Sequence, residues 1–528
     1  MASYCESKRF QVLEELMDHQ QKNVSRRGFL KTVGIASAAS VVSMTNPSRA
    51  VSNLSDRPNV LVIVADDHAA YVCGAYGNRK VQTPNLDRLA HTGVRFTHAY
   101  VNCPMCTPSR QSLLTGRLPH SIGVTQLRTA LSDDKLTLAD LLKEQGYATA
   151  AIGKMHFNSQ LHHGFDLRLD LRDHETYLKE HLPRSAPEDI GVLPVWRPFK
   201  DPARIWLNGS YVPYSAYDED MPGTWFARQA QNYLQNHAGK PFCLFVSFYE
   251  PHSPFHFPIE YRGMYDPATF DVPNPGPKDD WQIPKIFRDL TRSEKQHIIA
   301  SYYTSVAFLD KNVGLVLEML DETRLNENTL VIYLGDNGYN LGHHGRFEKH
   351  CFFEQSVRVP LVVRLPGSSR RDAAVDGLVE FIDIFPTIAE FCGAAVPAEV
   401  EGRSLLPLIE GKQSEGREAV FSEYYDNEEA MLRTKKYKFI YSSGKRLRQD
   451  GYETGLPLPG RTRILFNIEN DSEEMTNLAD FVEYADIVGQ LEHEMLRRLE
   501  KTSPYARTIP PGLGVEDKLD WYLKSREE

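Results

Sequence analysis

One cysteine stands where a helix is expected to begin. Cys106 precedes Pro108 and the helical stretch Ser109–Gly116, and proline is tolerated in the first turn of a helix because its missing N–H does no harm there. This order predicts that Cys106 lies at or just before a helix N-terminus, a position that favours anions. An isolated cysteine is more often an inert buried residue, so the neighbouring groups decide whether Cys106 is reactive.

Two polar pairs offer oxygen ligands for a metal ion. Asp66-Asp67 and Asp336-Asn337 contain no imidazole and no thiolate, and such an all-oxygen set suits calcium or magnesium better than zinc. Asp and Asn also favour helix caps and turns, so either pair alone would be ambiguous. The two pairs together predict a site for a hard cation, and we expect calcium.

Buried strands are the elements that would position these groups. The run N-V-L-V-I-V-A at 59–65 is nearly continuous in apolar, β-branched residues, which is typical of a strand buried on both faces of a parallel sheet. Comparable runs occupy residues 148–153, 242–248 and 330–334. The polar residues that follow these four runs are Asp66, Asp67, Lys154, His156, Glu250, His252, Asp336 and Asn337. Because ligands of open α/β sheets bind beyond the carboxyl ends of the strands, we expect these side chains to face one crevice.

The stretches between the strands predict the fold class. Amphipathic helical segments at 137–145, 225–236 and 294–320 alternate with the strands. This order predicts an α/β fold with a large, mainly parallel sheet flanked by helices. The stretches 161–221 and 253–290 resemble insertions, and long loops at this edge of a sheet usually shape a binding site.

The chain changes character after about Gly402. A hairpin is predicted over 430–442, another strand over 464–468 and an amphipathic helix over 487–501. These elements predict a smaller C-terminal α+β domain with an antiparallel sheet. We therefore expect a catalytic domain over residues 56–402 and a C-terminal subdomain over residues 403–528.

Residues 1–50 have the pattern of a twin-arginine signal peptide. The sequence S-R-R-G-F-L-K at 25–31 precedes a weakly apolar run, and S-R-A at 48–50 offers small residues for cleavage. The run at 32–44 is too short to span a bilayer, which takes about 20 apolar residues. We expect export through the twin-arginine machinery to the periplasm or the extracellular space, with no membrane span in the mature protein.

Charge and cysteine content exclude several classes of protein. Residues 1–50 carry seven of the 60 Lys and Arg residues and four of the 70 Asp and Glu residues, which leaves a net charge of −13 on the remainder. Such an acidic protein is not expected to bind nucleic acid. Only Cys103 and Cys106 form a C-x-x-C, and no second pair accompanies them, so neither a disulfide scaffold nor a zinc site is predicted.

A set of motifs resembles one enzyme family. C-T-P-S-R-Q-S-L-L-T-G-R at 106–117 looks like the signature of the type I sulfatases of the alkaline phosphatase superfamily. The motifs A-D-D, T-P-N-L-D-R-L-A, G-K-M-H, P-H, G-D-N-G and E-K occur in the family order between residues 65 and 349, and L-F-N-I-E-N-D-S-E-E-M-T-N-L-A at 465–479 resembles the family's C-terminal domain. The stretch G-K-M-H-F resembles choline-sulfatase-like and iduronate-sulfatase-like members. The resemblance therefore covers roughly residues 59–479.

This resemblance implies a nucleophile that is made from Cys106. In the family, the motif cysteine is oxidised by a formylglycine-generating enzyme, and the hydrated gem-diol supplies the hydroxyl that attacks sulfur. Arg110 and Lys154 match the residues that stabilise the gem-diol and its anionic form. His156 matches the residue associated with the proton that is removed when the aldehyde re-forms.

The resemblance also implies the groups that hold sulfate. His252 and Lys349 match the residues that bind the sulfate and assist the leaving oxygen, which is a general-acid task. One calcium ion per chain is implied, and it polarises the sulfate as a Lewis acid. Its implied ligands are Asp66, Asp67, Cys106, Asp336 and Asn337.

Two alternatives to a sulfatase stay open from the sequence. Phosphodiesterases and phosphonate monoester hydrolases share the superfamily, and a secreted carbohydrate-binding protein could keep the fold without the chemistry. The intact candidate nucleophile, metal ligands and proton-transfer residues favour a sulfatase.

The substrate that we expect is a sulfated carbohydrate. Aromatic residues that could stack on sugar rings, or could equally pack in the core, are Trp196, Trp206, Tyr211, Tyr214 and Trp225. The loop L-G-H-H-G-R at 341–346 either contacts substrate or forms a turn shaped by its glycines.

Overall fold

The structure is a computed structural model that describes residues 57–188, 190, 203–237, 239–277, 279–445, 452–457 and 459–526. The predicted signal peptide over residues 1–50 lies outside the described residues, and so does Trp196. Within the described residues, no helix is long and apolar enough to cross a membrane.

Nine strands form a large sheet in the order β4-β3-β5-β1-β6-β7-β2-β8, with β9 paired to β2. These strands are β1 (Asn59–Ala65), β2 (Val94–Tyr100), β3 (Ala148–Gly153), β4 (Leu167–Leu169), β5 (Phe242–Ser247), β6 (Thr329–Gly335), β7 (Arg358–Arg364), β8 (Ala373–Val375) and β9 (Val379–Glu380). Only β7 runs antiparallel to its neighbours, β6 and β2. The sheet is therefore mainly parallel, which confirms the predicted α/β class.

Helices flank this sheet and continue into the C-terminal part. They are α1 (Pro84–Thr92), α2 (Cys106–Thr115), α3 (Pro119–Ile122), α4 (Leu138–Glu144), α5 (Leu171–His181), α6 (Ala203–Trp206), α7 (Pro222–Asn236), α8 (Lys285–Arg288), α9 (Arg292–Glu322), α10 (Glu354–Val357), α11 (Ile384–Phe391), α12 (Leu406–Ile409), α13 (Ala485–Thr502) and α14 (Val515–Leu523).

The central strands form where apolar, β-branched runs were recognised. Every residue of β1 and of β6 is buried, and the two strands pair in parallel from Asn59 with Thr329 to Ala65 with Gly335. A strand buried on both faces has no exposed face that needs polar residues, which is why its sequence does not alternate. The carboxyl ends of β1 and β6 lie side by side as a result.

A second sheet of four antiparallel strands forms the C-terminal part, in the order β10-β11-β12-β13. Its strands are β10 (Ala419–Tyr424), β11 (Glu429–Thr434), β12 (Tyr437–Ser442) and β13 (Thr462–Asn467). The pair β11 and β12 is the predicted hairpin, with Lys435 and Lys436 between its strands. The smaller antiparallel sheet is therefore confirmed.

The two sheets share one hydrophobic core. Val420, Met431 and Phe466 of the small sheet are buried in the same apolar cluster as Val60 of β1 and Phe96 of β2. The described residues of both sheets belong to one compact unit. The boundary between residues 402 and 403 stays a prediction, because this continuous packing marks no separation at that point.

Candidate active site

The carboxyl ends of β1 and β6 are joined through their acidic residues. The backbone N–H of Asp67 donates to Oδ1 of Asp336 over 2.9 Å, and the N–H of Asp336 donates to the carbonyl of Ala65 over 2.9 Å. Asp67 adopts a left-handed backbone conformation, with φ of 66°, which aspartate tolerates better than most residues. This turn brings both carboxylates to the same edge of the sheet.

Cys106 is the first residue of helix α2, as the position of Pro108 predicted. Met105 before it is extended, with φ of −147° and ψ of 133°. Helix α2 is attached to the end of β6, because the hydroxyl of Ser109 donates to the carbonyl of Asp336 over 2.7 Å. Cys106 is 2% exposed, so its surroundings determine its chemistry.

Three cationic side chains surround these carboxylates. Arg110 donates from Nε to Oδ2 of Asp336 over 2.6 Å, and Lys154 pairs with Oδ2 of Asp66. Lys349 pairs with Asp67 and also donates to Sγ of Cys106 over 2.8 Å. All three cations are nearly buried, and buried charges of this kind require partners of opposite charge.

These ion pairs keep the buried charges in place. Burial raises the pKa of the Asp66 carboxyl, but Lys154, His252 and Arg110 outweigh it and hold that pKa well below its usual value. Burial lowers the pKa of Lys349, but Asp67 and Cys106 outweigh it and hold that pKa well above its usual value. Asp66 is therefore ionised and Lys349 protonated at neutral pH.

The two predicted site histidines are held in different ways. His156 has φ of 60°, and its Nδ1 is buried and accepts no hydrogen bond from any described residue. The carbonyl of Ser253 can only accept, so Nδ1 of His252 donates to it over 2.7 Å. Burial lowers the pKa of both rings well below the usual value, with Lys154 adding to the shift, so both rings are neutral and His252 presents a lone pair on Nε2.

A group of four potential metal ligands forms at this edge. Ligand atoms of Asp66, Asp67, Cys106 and His252 all lie within 4.8 Å of one another. The sequence did not place His252 among the ligands, because the motif that contains it, P-H, resembles a sulfate-binding element. Nε2 of His252 is 3.9 Å from Oδ2 of Asp67, which brings the ring into this group.

The remaining predicted ligands differ in what they contact. Both carboxylate oxygens of Asp336 accept hydrogen bonds, from Asp67 and from Arg110. Asn337 is completely buried, and neither its Oδ1 nor its Nδ2 has a hydrogen-bond partner among the described residues. Oδ1 of Asp66 is unpartnered in the same sense. Unpartnered buried oxygens are costly in a protein interior, and a hard cation would satisfy them.

A cavity of about 960 Å³ opens over Cys106. Trp206 lines it and lies edge-on to His252, with ring centroids 5.8 Å apart. Asp426 and Tyr452 line the same cavity from the C-terminal part of the chain. No sequence motif marks these two residues, because they reach the site only through the packing of the small sheet.

Other aromatic candidates prove to be packing residues. Trp225 is buried in the core beside β5, and Tyr214 packs against His256 with ring centroids 4.5 Å apart and the ring planes tilted by 48°. The stretch 341–346 forms a turn in which Gly342 and Gly345 both have positive φ. None of its residues is among the described residues that line the cavity, so the turn is the correct one of the two interpretations.

The sequence matches two family models. The model described as Sulfatase matches residues 58–394, which is more than half of the chain. The model described as N-sulphoglucosamine sulphohydrolase, C-terminal, matches residues 342–501. The first match contains every predicted site residue around Cys106.

Individual relatives agree with these matches. An arylsulfatase of Clostridium perfringens is 29% identical over 486 residues, which cover 84% of this chain and 95% of the relative. An N-acetylglucosamine-6-O-sulfatase of Bacteroides thetaiotaomicron is 25% identical over 551 residues and covers 90% of both chains. A phosphonate monoester hydrolase of Agrobacterium radiobacter has a similar structure, with a TM-score of 0.71 at 24% identity over 84% of this chain and 96% of that one. At this identity the structural likeness establishes the fold alone.

Proposed function

The chain belongs to the sulfatase family, and we propose that it releases inorganic sulfate from a sulfated carbohydrate, using formylglycine made from Cys106 and one bound calcium ion. Family membership makes the protein an enzyme that hydrolyses sulfate esters, and it supports the type I resemblance read from the motifs. The proposal of a formylglycine nucleophile and a calcium ion is supported above all by the position of Cys106. This residue lies among Asp66, Asp67 and His252 and accepts a hydrogen bond from Lys349.

The protonation state of Cys106 supports a modified nucleophile. Burial raises the pKa of its thiol to about 12, although Lys154 and Lys349 act in the opposite direction. A thiol with this pKa is protonated at neutral pH, and the thiolate is the form of cysteine that attacks. Formylglycine, once formed, supplies a hydroxyl nucleophile from its hydrate and allows sulfate to leave when the aldehyde re-forms.

Calcium fits the oxygen atoms that the fold leaves without partners. The ligands we propose are Asp66, Asp67, Asp336, Asn337 and residue 106. The unpartnered oxygens of Asp66 and Asn337 support this choice, and so does the preference of calcium for carboxylate and amide oxygens. When bound, calcium supplies a Lewis acid that polarises the sulfate.

The side chains around Cys106 divide into charge-bearing and proton-accepting groups. Lys154 and Arg110 place fixed positive charge beside residue 106, where an anionic nucleophile needs it. Lys349 is protonated at neutral pH and contacts residue 106, and we assign to it the protonation of the oxygen of the departing alcohol. His156 is neutral with an unpartnered Nδ1, so it can accept the proton that leaves residue 106. His252 also lines the cavity, and to hold a sulfate oxygen its Nε2 must carry a proton, which a bound anion would favour.

A carbohydrate substrate is supported by the relatives and by the cavity. The Bacteroides relative is named as acting on an N-acetylglucosamine 6-sulfate. The cavity volume of about 960 Å³ is large enough for one or more sugar rings. Trp206 offers an aromatic edge beside His252.

Phosphonate or phosphodiester hydrolysis is the second candidate. The observation in its favour is the similarity to a phosphonate monoester hydrolase of the same fold. The family match to sulfatases favours sulfate. Turnover of 4-nitrophenyl sulfate and of bis-4-nitrophenyl phosphate by one preparation separates the two, and a higher kcat/KM for the phosphodiester would contradict the sulfatase proposal.

Export through the twin-arginine route completes the proposal. This route generally carries folded proteins, which allows a formylglycine-generating enzyme to modify Cys106 inside the cell before transport. The pattern at 25–31 supports this route, and the mature enzyme would then act in the periplasm or outside the cell.

The mass of the peptide that contains Cys106 tests the nucleophile. Co-expression with a formylglycine-generating enzyme should convert the thiol of residue 106 to an aldehyde, and sulfate release should appear in proportion to that conversion. Cys103→Ala is the matched control, because Cys103 is also buried and belongs to the same C-x-x-C. Turnover by fully unmodified protein, or by Cys106→Ala, would contradict the proposed nucleophile.

A further inference from the structure

Two exposed arginines that line the active-site cavity have no carboxylate partner in the described part of the chain. Arg128 and Arg172 both line the cavity, and both are exposed. Neither pairs with a carboxylate among the described residues. The chain as a whole has a net charge of −10, so two cations without carboxylate partners in one cavity are contrary to the overall charge balance.

Three of the four acidic residues that line the cavity pair with other cations. Asp67 pairs with Lys349, and Asp170 lies 3.6 Å from Arg168 and accepts a hydrogen bond from the backbone N–H of Arg172. Glu348 pairs with Arg346 over 2.5 Å and with His350 over 3.0 Å. The fourth, Asp426, accepts a hydrogen bond from the hydroxyl of Tyr424 over 3.4 Å.

The backbone around Arg128 is attached to the catalytic residues. The hydroxyl of Thr107, next to Cys106, donates to the carbonyl of Leu127 over 2.7 Å. Nδ2 of Asn158 donates to the carbonyls of Leu127 and Thr129 over 2.8 and 3.0 Å. These bonds fix the segment on both sides of Arg128 relative to the nucleophile.

The backbone at Arg172 is fixed in a different way. Asp170 caps helix α5, and the carboxylate of Asp173 accepts a hydrogen bond from the N–H of Asp170 over 2.7 Å. Strand β4 before it pairs with β3, which leads to Lys154. Arg172 therefore extends from a defined helix start beside the site and not from an unattached loop.

We propose that Arg128 and Arg172 bind a second anionic group on the substrate, a carboxylate or a further sulfate on the sugar whose sulfate ester is cleaved. The proposal rests on the proposed function and names its substrate class as a dianionic sulfated sugar. Guanidinium groups suit this task because their planar fork matches both oxyanions. A cationic alcohol such as choline is disfavoured by the same charges.

Kinetics on matched substrate pairs tests this proposal. One pair is N-acetylglucosamine 6-sulfate and glucosamine 2-N,6-O-disulfate, and the other is methyl glucoside 2-sulfate and glucuronate 2-sulfate. The first pair probes a second sulfate and the second probes a carboxylate. The informative pair is the one for which the wild-type enzyme prefers the dianionic sugar more strongly. For that pair, the kcat/KM for the dianionic sugar divided by that for the monoanionic sugar should fall about tenfold in Arg128→Gln and in Arg172→Gln. This is the loss expected when one charge-assisted hydrogen bond is removed.

The loss of preference for the dianionic sugar in the arginine variants should come from a higher KM, and the preference itself should depend on salt. Raising the ionic strength should weaken the preference of the wild-type enzyme for the dianionic sugar, because exposed charges are screened. Lys179→Gln is the matched control, since Lys179 is an exposed cation on helix α5 outside the cavity. An unchanged ratio in the double variant Arg128→Gln/Arg172→Gln, or an equal loss in Lys179→Gln, would overturn the proposal.

Binding separates this proposal from the proposed function. Calorimetry on calcium-loaded Cys106→Ala measures the affinity for the same sugars without turnover. Tighter binding of the dianionic sugar that is lost on adding Arg128→Gln/Arg172→Gln supports the second anion site even if no ester is hydrolysed. Equal affinity for both members of each pair contradicts it even if sulfate is released normally.

Discussion

Lys349 places its ammonium nitrogen 2.8 Å from Sγ of Cys106, although the two residues are 243 positions apart in the chain. The same ammonium group pairs with Asp67. One cation therefore contacts both the proposed nucleophile position and a proposed calcium ligand. No other described lysine makes both contacts, since Lys154 pairs with Asp66.

Replacing Lys349 should therefore reduce turnover more than it reduces folding. We expect Lys349→Met to lower kcat by about 10²- to 10³-fold, the range found when one preorganised donor at a reacting group is removed. Steady-state kinetics measures the loss, and thermal unfolding checks that the protein is folded. Lys311→Met is the control, because Lys311 pairs with Asp218 over 2.6 Å away from the site. A kcat within threefold of wild type would show that Lys349 is not the proton donor.

Calcium should stabilise the folded protein through Asn337. At a free concentration about 100 times its Kd, a ligand that binds only the folded state adds about 2.7 kcal/mol to the free energy of unfolding. Chelation should therefore lower the melting temperature, and calcium should restore it. Asn337→Ala removes a buried amide that has no hydrogen-bond partner among the described residues, and it breaks no ion pair. Because this variant lacks one proposed ligand, the same rise in melting temperature should need a higher calcium concentration. Asn236→Ala, on the exposed face of α7, should behave as wild type.

His256 should make stability depend on pH in the acid range. Burial lowers the pKa of its ring from 6.5 to about 4. Between pH 6.5 and pH 4 the ring of His256 binds a proton in the unfolded chain but not in the folded protein. The free energy of unfolding therefore has its full value above pH 6.5 and falls as the pH approaches 4. The part of the free energy of unfolding that is lost in this range is about 3 kcal/mol. Chemical denaturation at several pH values should show that the free energy of unfolding of His256→Gln depends less on pH than that of the wild type. An unchanged dependence on pH would show that His256 is not the titrating group.

Lys438 should connect the small sheet to the large one. It is completely buried and pairs with Glu354 over 2.8 Å and with Glu474 over 2.6 Å. It also donates to the carbonyl of Phe352 over 2.8 Å, three residues after Lys349. Lys438→Met leaves the buried carboxylate of Glu474 without its cation, whereas Glu354 keeps Arg358 and Arg433. We expect a loss of about 3 to 5 kcal/mol in unfolding free energy.

The reverse experiment separates charge from packing at Lys438. Neutralising Glu474 as well, in Lys438→Met/Glu474→Gln, should recover much of that loss, because Glu474 then carries no unpaired charge and Glu354 stays paired with Arg358 and Arg433. Denaturant unfolding of the single and double variants measures the difference. If the double variant is as unstable as Lys438→Met, the loss comes from packing and not from charge.

The sequence located most of the framework around the site. The strands predicted at 59–65 and 148–153 have those same bounds as β1 and β3, and Cys106 begins its helix as Pro108 indicated. These features were predictable because burial on both faces of a strand and the geometry of a first helical turn act on neighbouring residues. They need no knowledge of distant parts of the chain.

The sequence did not show which partners these residues would have. It did not reveal that Lys349 contacts Cys106, or that His252 joins Asp66 and Asp67 in one group of potential ligands. It also gave no indication that Asp426 and Tyr452 would line the cavity. Each of these relationships depends on the strand order and on the packing of the small sheet.

By itself, the sequence determined the class of fold and the sulfatase family, because local patterns and colinear motifs carry that information, and it proposed a set of candidate site residues. The tertiary structure alone decided how charge is distributed among those residues: which cation neutralises which carboxylate, which oxygens of Asp66 and Asn337 accept no hydrogen bond from a described residue, and which cavity-lining arginines have no carboxylate partner among the described residues. The physical reason is that electrostatic interactions in a buried site depend on distances of a few ångströms between residues far apart in the chain.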